Sequence, residues 1–268
     1  MLAAGRLLRA NCSPMPNHVE APPLATANPR SIVNFAWGGI ATLISVLWTA
    51  VCAIGAAAGA VAGLYHAVTV ITRVWARGII AVCGIKVKIE GLENLAGLKS
   101  FVLVTNHQSF FDIFAVAAFI PGEPRFVAKK ELLKIPVIGF AMEHSGHVSI
   151  DRDAGGAAIR KAIAIIKRGS DMCVFAEGHR FSDNRVHEFN DGAAWLAIMT
   201  KLPAVPMSIS GSGKFFPRGA KIVAPGGTMR MTIGKPIPTV GMHSSDRVEL
   251  TRRLEAAVRA TFTTEVEV

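Results

Sequence analysis

Hydrophobic and polar positions follow two different rhythms along this chain. From Ser31 to Thr72 there is no Asp, Glu, Lys or Arg. That segment holds the apolar run Ile40 to Trp48 and a Gly/Ala-rich stretch from Gly55 to Gly63. One bilayer-spanning helix needs about 20 apolar residues, so the segment has room for two. The small-residue stretch supplies either their turn or a close-packing site. Arg30 precedes the segment, and Arg73 and Arg77 follow it. The preference for basic residues on the cytoplasmic side then puts both ends there, as a hairpin or a shallow re-entrant pair. A single span and a pair of soluble core helices are the competing readings. Core helices rarely run this long uncharged. Ahead of it, residues 1–30 carry five prolines, Pro14, Pro16, Pro22, Pro23 and Pro29, among small and polar residues, and read as a flexible tail.

After Val74 short apolar runs alternate with helical patterns. Phe101–Val104, Arg125–Ala128, Val148–Ile150, Asp171–Phe175, Ala204–Ile209 and Thr228–Ile233 read as strands. Asp153 can cap a helix that carries Ile159, Ile163 and Ile166 on one face and stops at Gly169. A last helix starts near Ser244 to Asp246, with Leu250, Leu254 and Val258 one turn apart. Alternating strands and helices predict an α/β domain, a mixed sheet flanked by helices, over residues 79–268. The hydrophobic helical hairpin or span, residues 31–78, precedes it.

Composition narrows the partners. With 51% hydrophobic residues, a mean hydropathy of +0.39 and 18% charged residues, the chain lies on the apolar side of soluble proteins. Twenty-nine Lys and Arg against 19 Asp and Glu give a net charge of +10, which suits lipid head groups, phosphorylated substrates, coenzyme A or an acidic carrier protein. Nucleic acid fits poorly, because basic and aromatic residues are not interleaved and the long apolar segment has no role there. Cys12, Cys52, Cys83 and Cys173 are far apart, with neither a disulfide pattern nor a zinc-ligand spacing. His144 and His147 have a HxxH spacing but no third ligand nearby, so no metal is expected. Lys129, Lys130 and Lys134 suit a carrier or phosphate group, or equally a solvated or membrane-facing basic face.

Four polar motifs sit where predicted strands end. In Asn106-His107-Gln108-Ser109-Phe110-Phe111-Asp112 an imidazole and a carboxylate are five positions apart. On one continuous helix that step would separate them by about 140°. The pair meets if His107 lies in a strand-to-helix turn and Asp112 in the helix's first turn. Asp112 would then fix the His107 tautomer and leave the other nitrogen basic toward a hydroxyl. Phe175-Ala176-Glu177-Gly178-His179-Arg180 places a carboxylate, a glycine and a guanidinium together, suited to close backbone approach and bidentate phosphate binding. Gly146 to Arg152 ends in another arginine, and Leu202 to Pro206 carries paired prolines. No GxSxG elbow is present, so a serine hydrolase is not indicated.

These motifs, in this order, resemble the phospholipid-synthesis acyltransferase family that includes 1-acylglycerol-3-phosphate acyltransferases. Its members carry an NHxxxxD block, a GxxxxxR block, an FPEGTR-like block and a closing block with paired prolines. The stretch from Arg125 to Gly139 also resembles the family's segment between the first two blocks. The resemblance covers roughly residues 80 to 240. It implies His107 as general base, Asp112 as its orienting partner, Arg152 and Arg180 as ligands of the acceptor phosphate, and Glu177 with Gly178 in acceptor binding. It implies a membrane enzyme with its site on the cytoplasmic face. Such an enzyme moves a fatty acyl group from acyl-CoA or acyl-carrier protein to a lysophosphatidic acid acceptor, without a cofactor. The chain departs from the family pattern at Ala176, where a Pro is usual, at His179, where a Thr is usual, and at Asn190-Asp191, where lysines are common. Glycerol-3-phosphate, another lysophospholipid or a lyso-aminolipid are the alternative acceptors, and a silent lipid-binding protein is the non-enzymatic one.

Overall fold

The structure is a computed structural model that describes residues 30–122, 124–129, 148–150, 155–166, 169–181 and 183–266. The charge-free segment forms two helices, α1 (Arg30–Val61) and α2 (Tyr65–Val82), joined by a turn at residues 62–64. The turn falls at the end of the Gly/Ala stretch, and the stretch itself packs: Ala56 and Ala60 are buried against Val68. A Cβ at Gly59 would press on Val68. Helix α2 runs past the expected boundary at residue 78 to Val82 and enters the core, where Ala76, Ile79 and Ile80 are buried. The hairpin and the α/β domain therefore share one helix.

Seven strands follow among the described residues: β1 (Ile85–Glu90), β2 (Val102–Thr105), β3 (Arg125–Lys129), β4 (Val148–Ile150), β5 (Met172–Phe175), β6 (Ala204–Ser210) and β7 (Gly227–Ile233). Interleaved with them are α3 (Phe111–Phe119), α4 (Gly155–Ile166), α5 (Gly192–Thr200) and α6 (Arg247–Thr261). The sheet order is β1-β7-β6-β2-β5-β3-β4, with every pairing parallel except β6 with β7. This is the expected mixed sheet. Strand alternation feeds two cores. Leu103, Val205, Met207 and Ile209 face α2 and α3, while Val102, Val104 and Met172 face α4, α5 and α6. Leu250, Leu254 and Val258 are buried on α6, as their spacing predicts.

Two features escaped the pattern, β1 and α5. Strand β1 reads Ile-Lys-Val-Lys-Ile-Glu, a clean alternation at the sheet's edge. Helix α5 is apolar nearly all round, so it offers no amphipathic stripe to read. Pro206 lies inside β6, within the run read as a strand. It packs on Gly234, where a Cβ would collide with the ring.

On the outer side, α1 docks onto the domain along one face. Val223 donates its amide to Thr42 Oγ1 at 3.0 Å, and Trp48 Nε1 donates to the Trp75 carbonyl at 3.2 Å. Arg73 and Arg77 on α2 reach across to the end of α3. Arg77 Nε donates to the Ala118 carbonyl at 3.1 Å and Arg73 Nη2 to the Gly122 carbonyl at 2.7 Å. The flanking arginines thus satisfy carbonyls that a helix end leaves open. The opposite face of α1 leaves Val33, Phe35, Ile40, Leu43, Leu47 and Val51 exposed. Residues 33–61 are long and apolar enough to cross a membrane.

Candidate active site

Parallel strands β2, β5 and β6 point their C-terminal ends to one edge, where Thr105 is level with Phe175 and Met207. Ligands of open α/β sheets gather at that edge. Beyond Thr105, Asn106 imitates a further ladder rung. Its Oδ1 accepts from the Ile209 amide at 2.8 Å and its Nδ2 donates to the Ile209 carbonyl at 2.9 Å. The exit of the chain from β2 is therefore fixed before His107 is reached.

His107 lies in the turn between β2 and α3, and Asp112 lies in the first turn of α3. Asp112 is fully buried, and its Oδ2 takes three hydrogen bonds: His107 Nδ1 at 2.9 Å, the Gln108 amide at 2.7 Å and the Ser109 amide at 2.9 Å. A carboxylate at Nδ1 holds the proton on that nitrogen and leaves Nε2 as the basic atom. The imidazole stacks on Phe175, 3.9 Å between centroids at 21°, which fixes its plane. The His107 side chain is only partly buried, 14% exposed.

Glu177 follows β5 and is buried. Its Oε2 accepts from the His107 amide and its Oε1 from the His187 amide, both at 3.0 Å. Both oxygens are thus engaged with backbone, one of them under the His107 turn. Burial pushes the carboxyl up to about 7 against the pull of these two amides, and the charges of Asp112 and Asp183 push the same way as burial. Gly178 sits at φ +70°, a conformation that favours glycine, and is exposed beside Asn190. The Arg180 guanidinium lies 3.8 Å over the Phe110 ring. Burial lowers its pKa, with Asp112 opposing and Arg218 reinforcing the shift. Arg152, Lys130, Lys134, His144 and His147 lie outside the described residues.

The departures from the family pattern sort by place. Ala176 is buried, and its carbonyl accepts from both the amide and the side chain of Asn190, which folds the loop between them back on itself. Asp191 pairs with Arg247 at 2.7 Å. His179 is exposed, as Asn190 and Asp191 are, and its ring lies 6.4 Å from that of Phe181. Sequence reasoning passed over Asn106, Phe110 and Phe175 as site residues, although the first two lie within the NHxxxxD block and the third begins the next. Among the described residues no group of His, Cys, Asp and Glu could hold a metal ion, and Cys52, Cys83 and Cys173 are free and buried.

Beside the His107 turn, an apolar groove of about 450 Å³ runs between α1 and α3. Its walls include Val46, Ile54, Phe110, Phe114 and Phe216, and it ends at the ring that carries Arg180.

The acyltransferase family model matches residues 86–210, which takes in β2, the His107 turn, β5 and β6. A 1-acyl-sn-glycerol-3-phosphate acyltransferase from Pseudomonas aeruginosa is 30% identical over 193 residues, covering 70% of this chain and 73% of that protein. The chain belongs to the 1-acyl-sn-glycerol-3-phosphate acyltransferase family. A chloroplast acyltransferase of that family from Brassica napus is 35% identical over 156 residues, covering 57% of this chain. The chain matches less than half of that protein's length, 45%. Among solved structures, the 1-acyl-sn-glycerophosphate acyltransferase PlsC from Thermotoga maritima aligns with a TM-score of 0.70 at 25% identity, over 87% of this chain and 94% of that one. Family membership extends to the fold, which the PlsC structure shares with this chain over most of its length.

Proposed function

We propose that this chain transfers a fatty acyl group from acyl-CoA or acyl-carrier protein to the sn-2 hydroxyl of 1-acylglycerol-3-phosphate, giving phosphatidic acid. The observation that carries the reading is the His107–Asp112 pair, oriented at 2.9 Å, beside a guanidinium on one hand and an apolar groove on the other. His107 Nε2 removes the proton of the acceptor hydroxyl as its oxygen attacks the thioester carbonyl. The tetrahedral intermediate collapses with cleavage of the carbon–sulfur bond, and the imidazolium returns its proton to the departing thiolate. Asp112 carries negative charge against the imidazolium throughout. Arg180 and Arg152 hold the acceptor's phosphate, so attack by the hydroxyl becomes effectively intramolecular. Glu177 holds the amide of His107, and Gly178 keeps the loop edge open to the acceptor. The groove's volume lies in the range of small-ligand pockets and its apolar walls suit a fatty chain.

The exposed apolar residues of α1 belong in a membrane. Val46 and Ile54 line the groove and are also exposed, so the groove opens on that same apolar face. Because α1 and α2 both dock on the domain, the hairpin dips into the bilayer with both ends on one side, the cytoplasmic face by its basic flanks.

The test is acyl transfer by detergent-solubilised full-length protein from labelled acyl thioesters, with lysophosphatidic acid, glycerol-3-phosphate and monoacylglycerol as acceptors. Preference for lysophosphatidic acid, with a loss on the order of 10³-fold or more in His107→Ala, is expected. Near-wild-type turnover by His107→Ala would remove the assigned base. No transfer from either thioester would leave a lipid-binding protein.

A further inference from the structure

The segment from Gly211 to Gly226, between β6 and β7, lies outside the matched family blocks, yet it borders the site along one wall. Three bonds tie it down. Ser109 Oγ, inside the His107 block, donates to the Phe216 carbonyl at 3.1 Å. Thr42 Oγ1 on α1 accepts from the Val223 amide at 3.0 Å. The Gly226 amide donates to the Cys83 carbonyl at 2.8 Å, and Ala224 closes the loop on Phe215. The tip is a four-residue turn, Pro217-Arg218-Gly219-Ala220, with the Ala220 amide donating to the Pro217 carbonyl at 3.1 Å. Gly219 holds φ +88° at the third position, which a type II turn requires. Arg218 therefore projects from the corner of a fixed turn, and it is exposed.

Phe216, two residues earlier, packs its ring 5.9 Å from Phe110, whose face carries the Arg180 guanidinium. Arg218 thus follows, two residues on, a ring that packs beside the platform of Arg180, and its charge acts at Arg180. Among the described residues neither forms an ion pair with a carboxylate. Asp112 offsets part of the charge at Arg180, but the two guanidiniums still repel each other. A phosphate monoester, doubly charged and with three acceptor oxygens, relieves that repulsion and can be gripped by both forks.

We propose that Arg218 is a further phosphate ligand, closing with Arg180 on the phosphate of the acyl acceptor from the β6–β7 side. This rests on the acceptor reading given above and adds a residue and a loop to it. The loop touches α1 through Thr42, so the same segment that grips the phosphate is braced by the hairpin at the membrane. The phosphate is assigned to the acceptor because Arg180 lies over the ring of Phe110, three residues from His107, the base toward which the acceptor's hydroxyl must be presented.

The test measures initial rates with purified full-length protein in detergent, varying lysophosphatidic acid and acyl-CoA separately. In Arg218→Gln the KM for lysophosphatidic acid should rise about tenfold with kcat within about twofold, and Arg218→Lys should recover part of the loss. Lys221→Gln, an exposed cation farther along the loop, should change that KM by less than about twofold. An unchanged KM for lysophosphatidic acid in Arg218→Gln, with a raised one in Arg180→Gln, would overturn the role of Arg218 while leaving the acceptor reading intact. An equal rise in Lys221→Gln would replace the ligand with a diffuse field, and a rise confined to acyl-CoA would move the phosphate to the donor. Wild-type preference for monoacylglycerol over lysophosphatidic acid would overturn the acceptor reading itself, and Arg218 with it.

Discussion

The turn after β2 and the turn after β5 leave the sheet side by side, and each contains one buried carboxylate. Their carboxylates work differently. Asp112 serves its own turn: within five residues it takes the His107 ring and two backbone amides on a single oxygen. Glu177 serves the neighbouring turn, holding the His107 amide from 70 positions away while its other oxygen ties down His187 in its own loop. One carboxylate fixes the imidazole and the other fixes the peptide that carries it. His107 is thus held at two points, one supplied locally and one across the sheet.

Asp112→Asn should break the local half most sharply. The two amides of Gln108 and Ser109 will orient the new side chain with its oxygen in place of Oδ2, so the tautomer of His107 survives. What is lost is the negative charge beside the imidazolium. The new amide nitrogen also takes the place of Oδ1, which is buried without a partner among the described residues. A fall in kcat of about 10²- to 10³-fold is expected, with KM for lysophosphatidic acid little changed. The measurement is kcat in a variant whose thermal unfolding has been checked, since a buried unsatisfied donor costs about 1–3 kcal/mol. A loss in KM alone would mean that Asp112 acts on the acceptor instead.

The same contrast explains what the sequence could disclose. His107 and Asp112 are close in the chain, so their spacing and the strand-to-helix turn were enough to place them together. The role of Glu177 depends on the register of β5 against β2, in which Phe175 stands level with Thr105. Nothing within either motif encodes that register; the resemblance assigned Glu177 to acceptor binding, and the contact of its carboxylate with the His107 amide came only with the fold. Arg180 was legible as a cation at a strand end, but its platform Phe110 was not, because the ring comes from the other block. The strands of the central sheet announced themselves as apolar runs. Helix α5 did not, because apolar residues nearly all round it erase the periodicity that marks a helix.

Glu177→Gln sharpens the distant half. Glutamine can offer its oxygen to only one of the two amides and must set its NH2 against the other. A fall in kcat of about 10- to 100-fold is expected, with a smaller change in KM. A raised KM with unchanged kcat would favour direct acceptor binding. Acidity gives a second reading of the same group. Its carboxyl is raised from 4.5 to about 7, so it gains charge, and with it a firm grip on both amides, only as the pH climbs through that region. Activity should therefore rise with pH through about 7, and the limb should lose this component in Glu177→Gln. Stability runs the other way. The folded chain holds this proton more tightly than the unfolded one, so the contribution to stability declines as pH rises from 4.5 to about 7. Kinetic and thermal profiles of the two proteins over that window check both signs.

His187 offers the smallest and most selective perturbation. Its ring stacks on Phe181 at 3.7 Å and its Nε2 meets both oxygens of Asp183 at 2.9 Å, which invites a catalytic role. Yet the contact that reaches the active site is made by its backbone amide, on Glu177 Oε1. His187→Ala keeps that amide and removes only a partly exposed ring pair, so kcat should fall no more than about two- to threefold. His187→Pro removes the amide itself and should approach the loss seen in Glu177→Gln. Equal, large losses in both variants would assign the ring, rather than the peptide, to the site. A near-silent alanine beside a damaging proline would show that the brace on His107 passes through the main chain of both turns.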